Sequence, residues 1–235
     1  MKTDAERIHL ILTVLKKTYS DAKIALNYSS PWELLVAVIL SAQCTDKMVN
    51  IITGKLFKIY KTLDDYVHAD LPTFEQQIKS AGFYHNKAKN ILATAKLIHE
   101  NYNDKVPDSM EKLVTLPGVA RKTANIVLGN VYNVVVGIPV DTHVFRLSQR
   151  LRLVNLDSIG GKRPVTFNKD GKEVVDFKKD ADPNKVESEL MEVIPVKDWF
   201  QISYLLIDHG RAVCKSQNPN CRECPLKPYC PSSRE

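Results

Sequence analysis

No apolar run in this chain can cross a bilayer: the longest, Leu34 to Leu40, falls far short of the roughly 20 residues a spanning helix needs. The polar start Met1-Lys2-Thr3-Asp4 is not that of a signal peptide. Neither sign of charge dominates, since 33 basic residues against 27 acidic ones leave only +6 across 235 residues, a weak pointer to nucleic acid taken alone. Cysteine is nearly missing from most of the chain, with Cys44 alone ahead of position 214. Hydrophobic usage of 44% and charged usage of 26% are those of an ordinary globular protein, so no disordered tract is expected. These absences point away from membrane proteins, secreted disulfide scaffolds and disordered chains. The expectation is an intracellular, soluble protein of one large domain or two modest ones.

The charge that is present is concentrated. Between Thr115 and Arg152 the basic residues Arg121, Lys122, Arg146, Arg150 and Arg152 meet one acid, Asp141, a local field that suits a phosphate backbone. That region opens on the most informative stretch of the chain, Leu116-Pro117-Gly118-Val119-Ala120-Arg121-Lys122-Thr123-Ala124-Asn125, where a lysine sits in a glycine-punctuated turn that begins a helix. Backbone N–H groups at a helix start form an anion site, and the same positive dipole end disfavours an ammonium. One segment therefore offers a phosphate grip and an amine suited to nucleophilic attack. The plainer reading of Lys122 is a phosphate contact.

Helical spacing dominates elsewhere. Ile8, Leu12, Leu15 and Tyr19 mark one amphipathic helix, Val49, Ile52, Leu56 and Ile59 another, and Leu92, Ala95, His99 and Tyr102 a third. Ser30-Pro31-Trp32-Glu33 and Asp108-Ser109-Met110-Glu111 each set a capping residue three positions before a glutamate. After the glycine turn, Ala124, Val127, Leu128 and Val131 predict one buried face, with Lys122 and Asn125 off it. The segment Gly82-Phe83-Tyr84-His85-Asn86-Lys87-Ala88-Lys89-Asn90-Ile91 faintly echoes the later one at Gly118. One region departs from helix: Pro164 to Phe167 and Lys172 to Phe177, joined by Asn168-Lys169-Asp170-Gly171, alternate like a β-hairpin. Six basic and six acidic residues cancel between Asp157 and Asp182, and a solvated surface excursion is expected there.

Four cysteines close the chain as Cys214-x6-Cys221-x2-Cys224-x5-Cys230. Inside a cell such spacing favours metal over disulfides, and four thiolates suit either zinc or an iron–sulfur cluster. Only one CxxC is present, whereas zinc sites more often pair two close dyads. Cys44 reads as a small buried hydrophobe.

Taken together, Leu116 to Asn125, Val140-Asp141-Thr142-His143 and the cysteine pattern resemble the endonuclease III family of the helix–hairpin–helix DNA glycosylase superfamily. The resemblance runs over essentially the whole chain. It implies an all-α, two-domain architecture with a small β-hairpin excursion. Residues 24–134 would form a six-helix domain ending in the helix–hairpin–helix, and residues 1–23 with 135–235 a discontinuous helical domain. Cys214, Cys221, Cys224 and Cys230 would hold a [4Fe–4S] cluster. Damaged double-stranded DNA is the implied partner, bound by a monomer in the cytoplasm of a bacterium or archaeon, associated with the nucleoid.

The same resemblance assigns roles. Lys122 is the implied Schiff-base nucleophile and Asp141 the catalytic aspartate, which by sequence alone also reads as a helix N-cap. Gly118, Val119, Ala120 and Arg121 would touch DNA phosphates, with Arg211, Lys215, Arg222 and Lys227 as further candidates. Gln43 and Phe83, in segments similar to two that enter the space of a flipped base, would fill the gap in the stack; otherwise they are a polar helix-end residue and a core aromatic. His143 would touch the lesion pocket or hydrogen-bond in the core, and His209 is structural at a helix end. Position 120 departs from the family's usual glycine. The implied activity is a bifunctional glycosylase and AP lyase for oxidised pyrimidines. Its rivals are a monofunctional adenine or mismatch-thymine glycosylase, which lacks the lysine, and a non-catalytic DNA-binding module.

Overall fold

Short polar residues start most of the helices in the computed structural model of this chain, which describes residues 4–235. In chain order the helices are α1 (Asp4–Thr18), α2 (Pro31–Ser41), α3 (Asp46–Ile59), α4 (Leu63–Val67), α5 (Leu71–Gln77), α6 (Tyr84–Tyr102), α7 (Met110–Leu113), α8 (Arg121–Val127), α9 (Thr142–Arg150), α10 (Pro183–Val193) and α11 (Trp199–Ala212). Strands β1 (Pro164–Lys169) and β2 (Lys172–Lys178) pair antiparallel between α9 and α10. Ser30 accepts from Glu33 N, Thr45 from Met48 N and Asp70 from Thr73 N, while Thr62 and Asp65 cap α4 reciprocally.

The chain divides into two compact units. One runs from Ile24 to Val136 and holds α2 to α8, with α8 continuing as a π-helical turn over Leu128–Tyr132. Its centre is α2, whose residues Leu34 to Leu40 are all buried, so the longest apolar run is a helix enclosed on every side. The other unit joins the segment ending at Lys23 to Gly137–Glu235. There α1 buries Ile8, Ile11, Leu12 and Leu15 in a core with Val144, Leu147, Val186, Leu190 and Leu205, matching the period read from the sequence.

Three local expectations need correction. The helix start expected at Asp108 falls one residue later, on Ser109, which caps the four-residue α7 without a side-chain bond. Asn125 is buried rather than off the packed face, since α8 is enclosed on more sides than one apolar stripe requires. The hairpin is also more than a solvated excursion. Asp170 (φ 52°) and Gly171 (φ 77°) form the paired left-handed turn that the twist of two strands favours, but Asp176 and Phe177 are buried beside α9.

Leu35→Ala is expected to lower stability by about 2–5 kcal/mol, the range for truncating a fully enclosed leucine. Chemical denaturation reads this directly, and a loss below about 1 kcal/mol would contradict the central place of α2.

Candidate active site and thiol centre

One face of α6 organises three loops of the first unit. Phe83, immediately before α6, has left-handed backbone (φ 58°) and a 66% exposed ring, so it is no core aromatic. One turn on, the buried Lys87 donates Nζ to the carbonyls of Leu40 at 2.8 Å and Ala42 at 2.6 Å. Those are the last carbonyls of α2, which a helix end leaves without intrahelical partners. The next residue, Gln43, is exposed and also left-handed (φ 52°). A side chain at Gly82 would sit 3.5 Å from Gln43 O, so the Gln43 loop and the Phe83 turn lie against each other. Burial pushes the Lys87 ammonium below the usual lysine range. The two carbonyls offset part of that cost.

Further along the same face come Asn90 and Thr94. Thr94 Oγ1 donates to Pro117 O at 2.9 Å, and a Cβ at Gly118 would lie 2.9 Å from Asn90 Nδ2. Gly118 has φ +76°, so glycine is required there twice, by backbone and by space. Ala120 has φ −87° and ψ 170° as the N-cap of α8, ordinary extended backbone in which the methyl group is free of strain. The departure from the family's glycine therefore leaves the turn intact. Val119 is buried, while Gly118, Ala120, Arg121 and Lys122 are exposed, with Lys122 the second residue of α8. Lys87, Asn90 and Thr94 each read as an ordinary helix residue in the sequence; the place of Lys87 and Asn90 inside the echo segment was the available signal.

Asp141 lies in the second unit as the N-cap of α9. Both of its cap bonds fall on Oδ1, which accepts from His143 N at 2.8 Å and Val144 N at 2.7 Å. His143 leans on α11: a Cβ at Gly210 would come within 2.5 Å of His143 Nδ1, and Arg146 Nη2 is 3.3 Å from the same nitrogen. Arg146 Nη2 also donates to Cys214 O at 2.9 Å, tying this helix to the cysteine loop.

Cys214, Cys221, Cys224 and Cys230 are free thiols that line a single hollow with Leu147, Leu151, Arg150, His209 and Lys227. Burial raises the protonation range of Cys214, of Cys224 to about 11 and of Cys230 to about 12, while Arg150 opposes the rise at Cys214. Among the described residues no group of three His, Cys, Asp or Glu side chains is set to hold a single metal ion. His209 is buried, with Nδ1 3.0 Å from Tyr19 Oη and Nε2 3.5 Å from Cys224 Sγ, a structural place.

Helices around a glycine turn, an exposed lysine behind it and a thiol-lined hollow define a class, and comparison with known proteins agrees. Residues 36–164 match the family described as HhH-GPD superfamily base excision DNA repair protein. The endonuclease III of Synechocystis sp. is 43% identical over 100% of this chain and 96% of its own length. That of Bacillus subtilis (strain 168) is 41% identical over 96% of this chain and 92% of its own. A solved structure of a trapped endonuclease III–DNA covalent intermediate matches with a TM-score of 0.85 at 38% identity, covering 100% of this chain and 98% of that one. The chain belongs to the HhH-GPD superfamily and, within it, to the endonuclease III family.

Gly118→Ala is expected to cost more than about 1 kcal/mol, whereas Ala120→Gly should shift stability by no more than about 0.5 kcal/mol. Thermal melts of both variants test this, and the reverse ranking would refute the backbone assignment. Lys87→Ala should raise amide hydrogen exchange at Cys44, whose N–H donates to Ser41 O at 3.1 Å, at least tenfold while Leu128 and Gly129 keep their protection. Unchanged exchange at Cys44 would show that Lys87 does not hold that loop.

Proposed function

We propose that this chain removes oxidised pyrimidines from double-stranded DNA as a bifunctional DNA glycosylase and AP lyase, with Lys122 as the nucleophile and Asp141 as its acidic partner. The observation that carries the reading is an exposed lysine directly behind a left-handed glycine turn, in a chain of the endonuclease III family. A base inside a duplex must be extruded before it can be attacked. The turn from Gly118 to Ala120 would hold the phosphates through backbone N–H groups with Arg121, and the exposed Arg211, Lys215, Arg222 and Lys227 would extend that grip. The exposed ring of Phe83 is suited to wedge into the stack, and the amide of Gln43 to pair with the orphaned base. The contact between their two loops supports a shared task.

With the base extruded, neutral Lys122 Nζ attacks C1′ and the glycosidic C–N bond breaks, releasing the base with a proton. Opening of the sugar ring then yields a Schiff base. Loss of a C2′ proton drives elimination, which breaks the C3′–O3′ bond and cuts the strand 3′ to the lesion. Asp141 caps α9 through Oδ1, and its Oδ2 would stabilise positive charge on the sugar and carry protons. His143 would take part through its backbone N–H to Asp141, its ring lying against Gly210 and Arg146.

Cys214, Cys221, Cys224 and Cys230 would hold a [4Fe–4S] cluster. The donor set fits: four thiols share one hollow, no carboxylate lines it, and Arg150 and Lys227 provide positive charge against a group that four thiolates make anionic. Bound there, the group would cross-link the C-terminal loop. The chain would act as a monomer on cytoplasmic DNA; no helix among the described residues is long and apolar enough to cross a membrane.

Borohydride trapping on an abasic-site duplex is expected to yield one covalent adduct per chain, lost in Lys122→Ala and kept, with excision slowed at least a hundredfold, in Asp141→Asn. An adduct that survives Lys122→Ala would sink the nucleophile assignment, and no adduct at all would leave a monofunctional glycosylase or a binding module.

A further inference from the structure

The hairpin from Pro164 to Lys178 has no part in the chemistry above, yet the most enclosed ion pair of the second unit lies on it. Asp176 of β2 is 1% exposed and meets Arg150 of α9, 2% exposed, through Nη2 at 2.7 Å and Nε at 3.0 Å. A guanidinium carries five N–H donors in a rigid fork, so two held by a carboxylate fix the direction of the rest. Those donors leave toward the cysteine loop: Arg150 Nη1 reaches Lys215 O at 2.7 Å and Cys214 Sγ at 3.3 Å, and Nη2 reaches Ser216 O at 2.9 Å. The Phe177 ring lies beneath the same guanidinium, 5.4 Å from its carbon to the ring centroid.

Other bonds seat the strand that carries Asp176. Gln149 Oε1 accepts from Lys178 N at 2.8 Å, Arg152 donates to the carbonyls of Val175 and Asp176, and Lys178 Nζ donates to Leu156 O at 2.6 Å. At the other end of the hairpin, Lys169 Nζ donates to Ser233 O at 2.6 Å, beyond the last cysteine. The hairpin thus holds the thiol loop at its first cysteine indirectly, through Arg150, and beyond its last directly, through Lys169.

We infer that the hairpin is a brace for the thiol centre, in which Asp176 acts as a positioning residue by aiming Arg150 at Cys214 Sγ and at the two carbonyls that follow it. The inference rests on the reading of the four cysteines as cluster ligands. A donor to a ligating sulfur orients it and tunes its electron density, and loss of such outer support lowers affinity for the bound group by about 10–100-fold in metal sites generally. Neutral Asn at 176 keeps the shape but surrenders the charge that holds the fork.

The test compares iron release from full-length protein challenged with a chelator, followed by absorbance near 410 nm, alongside thermal melting. Asp176→Asn is expected to lose iron at least tenfold faster than the unaltered chain, and Arg150→Lys, which keeps the charge and gives up the fork, to do the same. Val186→Ala, which thins the same core without touching the network, controls for loss of stability and should release iron at close to the unaltered rate even when its melting temperature falls as far. Equal iron retention in Asp176→Asn, or equally fast loss in Val186→Ala at a matched melting temperature, would overturn the brace. Stoichiometric zinc, or no metal, in the unaltered chain would instead overturn the cluster reading beneath it.

Discussion

Backbone groups at helix ends have no intrahelical partner and must find one elsewhere, and that constraint places nearly every residue of interest here. The carbonyls closing α2 are answered by Lys87 of α6, which fixes the loop holding Gln43. The amides opening α9 are answered by Asp141, which fixes the direction of its carboxylate. At α8 the cap is Ala120, whose side chain offers no acceptor, so that helix starts without a side-chain cap bond. Lys122 is the second residue of that helix.

The two units meet the problem of buried charge differently. In the first, Lys87 is a lone buried cation satisfied by carbonyl dipoles, at the cost of desolvating an ammonium. In the second, Arg150 is paired with Asp176 and saturated by carbonyls and a sulfur, so its charge is balanced and its direction fixed. A buried pair contributes little net stability compared with apolar packing, but breaking it leaves an uncompensated charge. Geometry is therefore the stronger reason for such a pair beside Cys214.

Much of the fold was legible because helical periodicity and capping are local. The apolar positions of α1 and the hairpin with its Asp170-Gly171 turn could be read directly, since each depends on residues within a few positions of one another. The misreadings have tertiary causes. Asn125 looked solvent-facing because a one-sided stripe was assumed for a helix that is enclosed more widely. The hairpin looked solvated because its charges cancel in sum, while Asp176 meets its cation through packing against α9. Lys87 gave no signal of its own, because a lysine in a helix is ordinarily exposed.

By itself the sequence determined the chemistry available: a lysine behind a glycine turn, an aspartate at a helix start, four thiols in one segment and a mild positive excess around the first two. Residue type and spacing carry that information, since nucleophiles, caps and metal ligands are defined by the atoms a side chain bears. Only the tertiary structure decided which side chains hold those groups in place. Lys87 against α2, Asn90 against Gly118, His143 against Gly210 and Asp176 against Arg150 join positions far apart in the chain or on separate elements. Their burial and direction follow from close packing of side chains, which no local pattern of residues encodes.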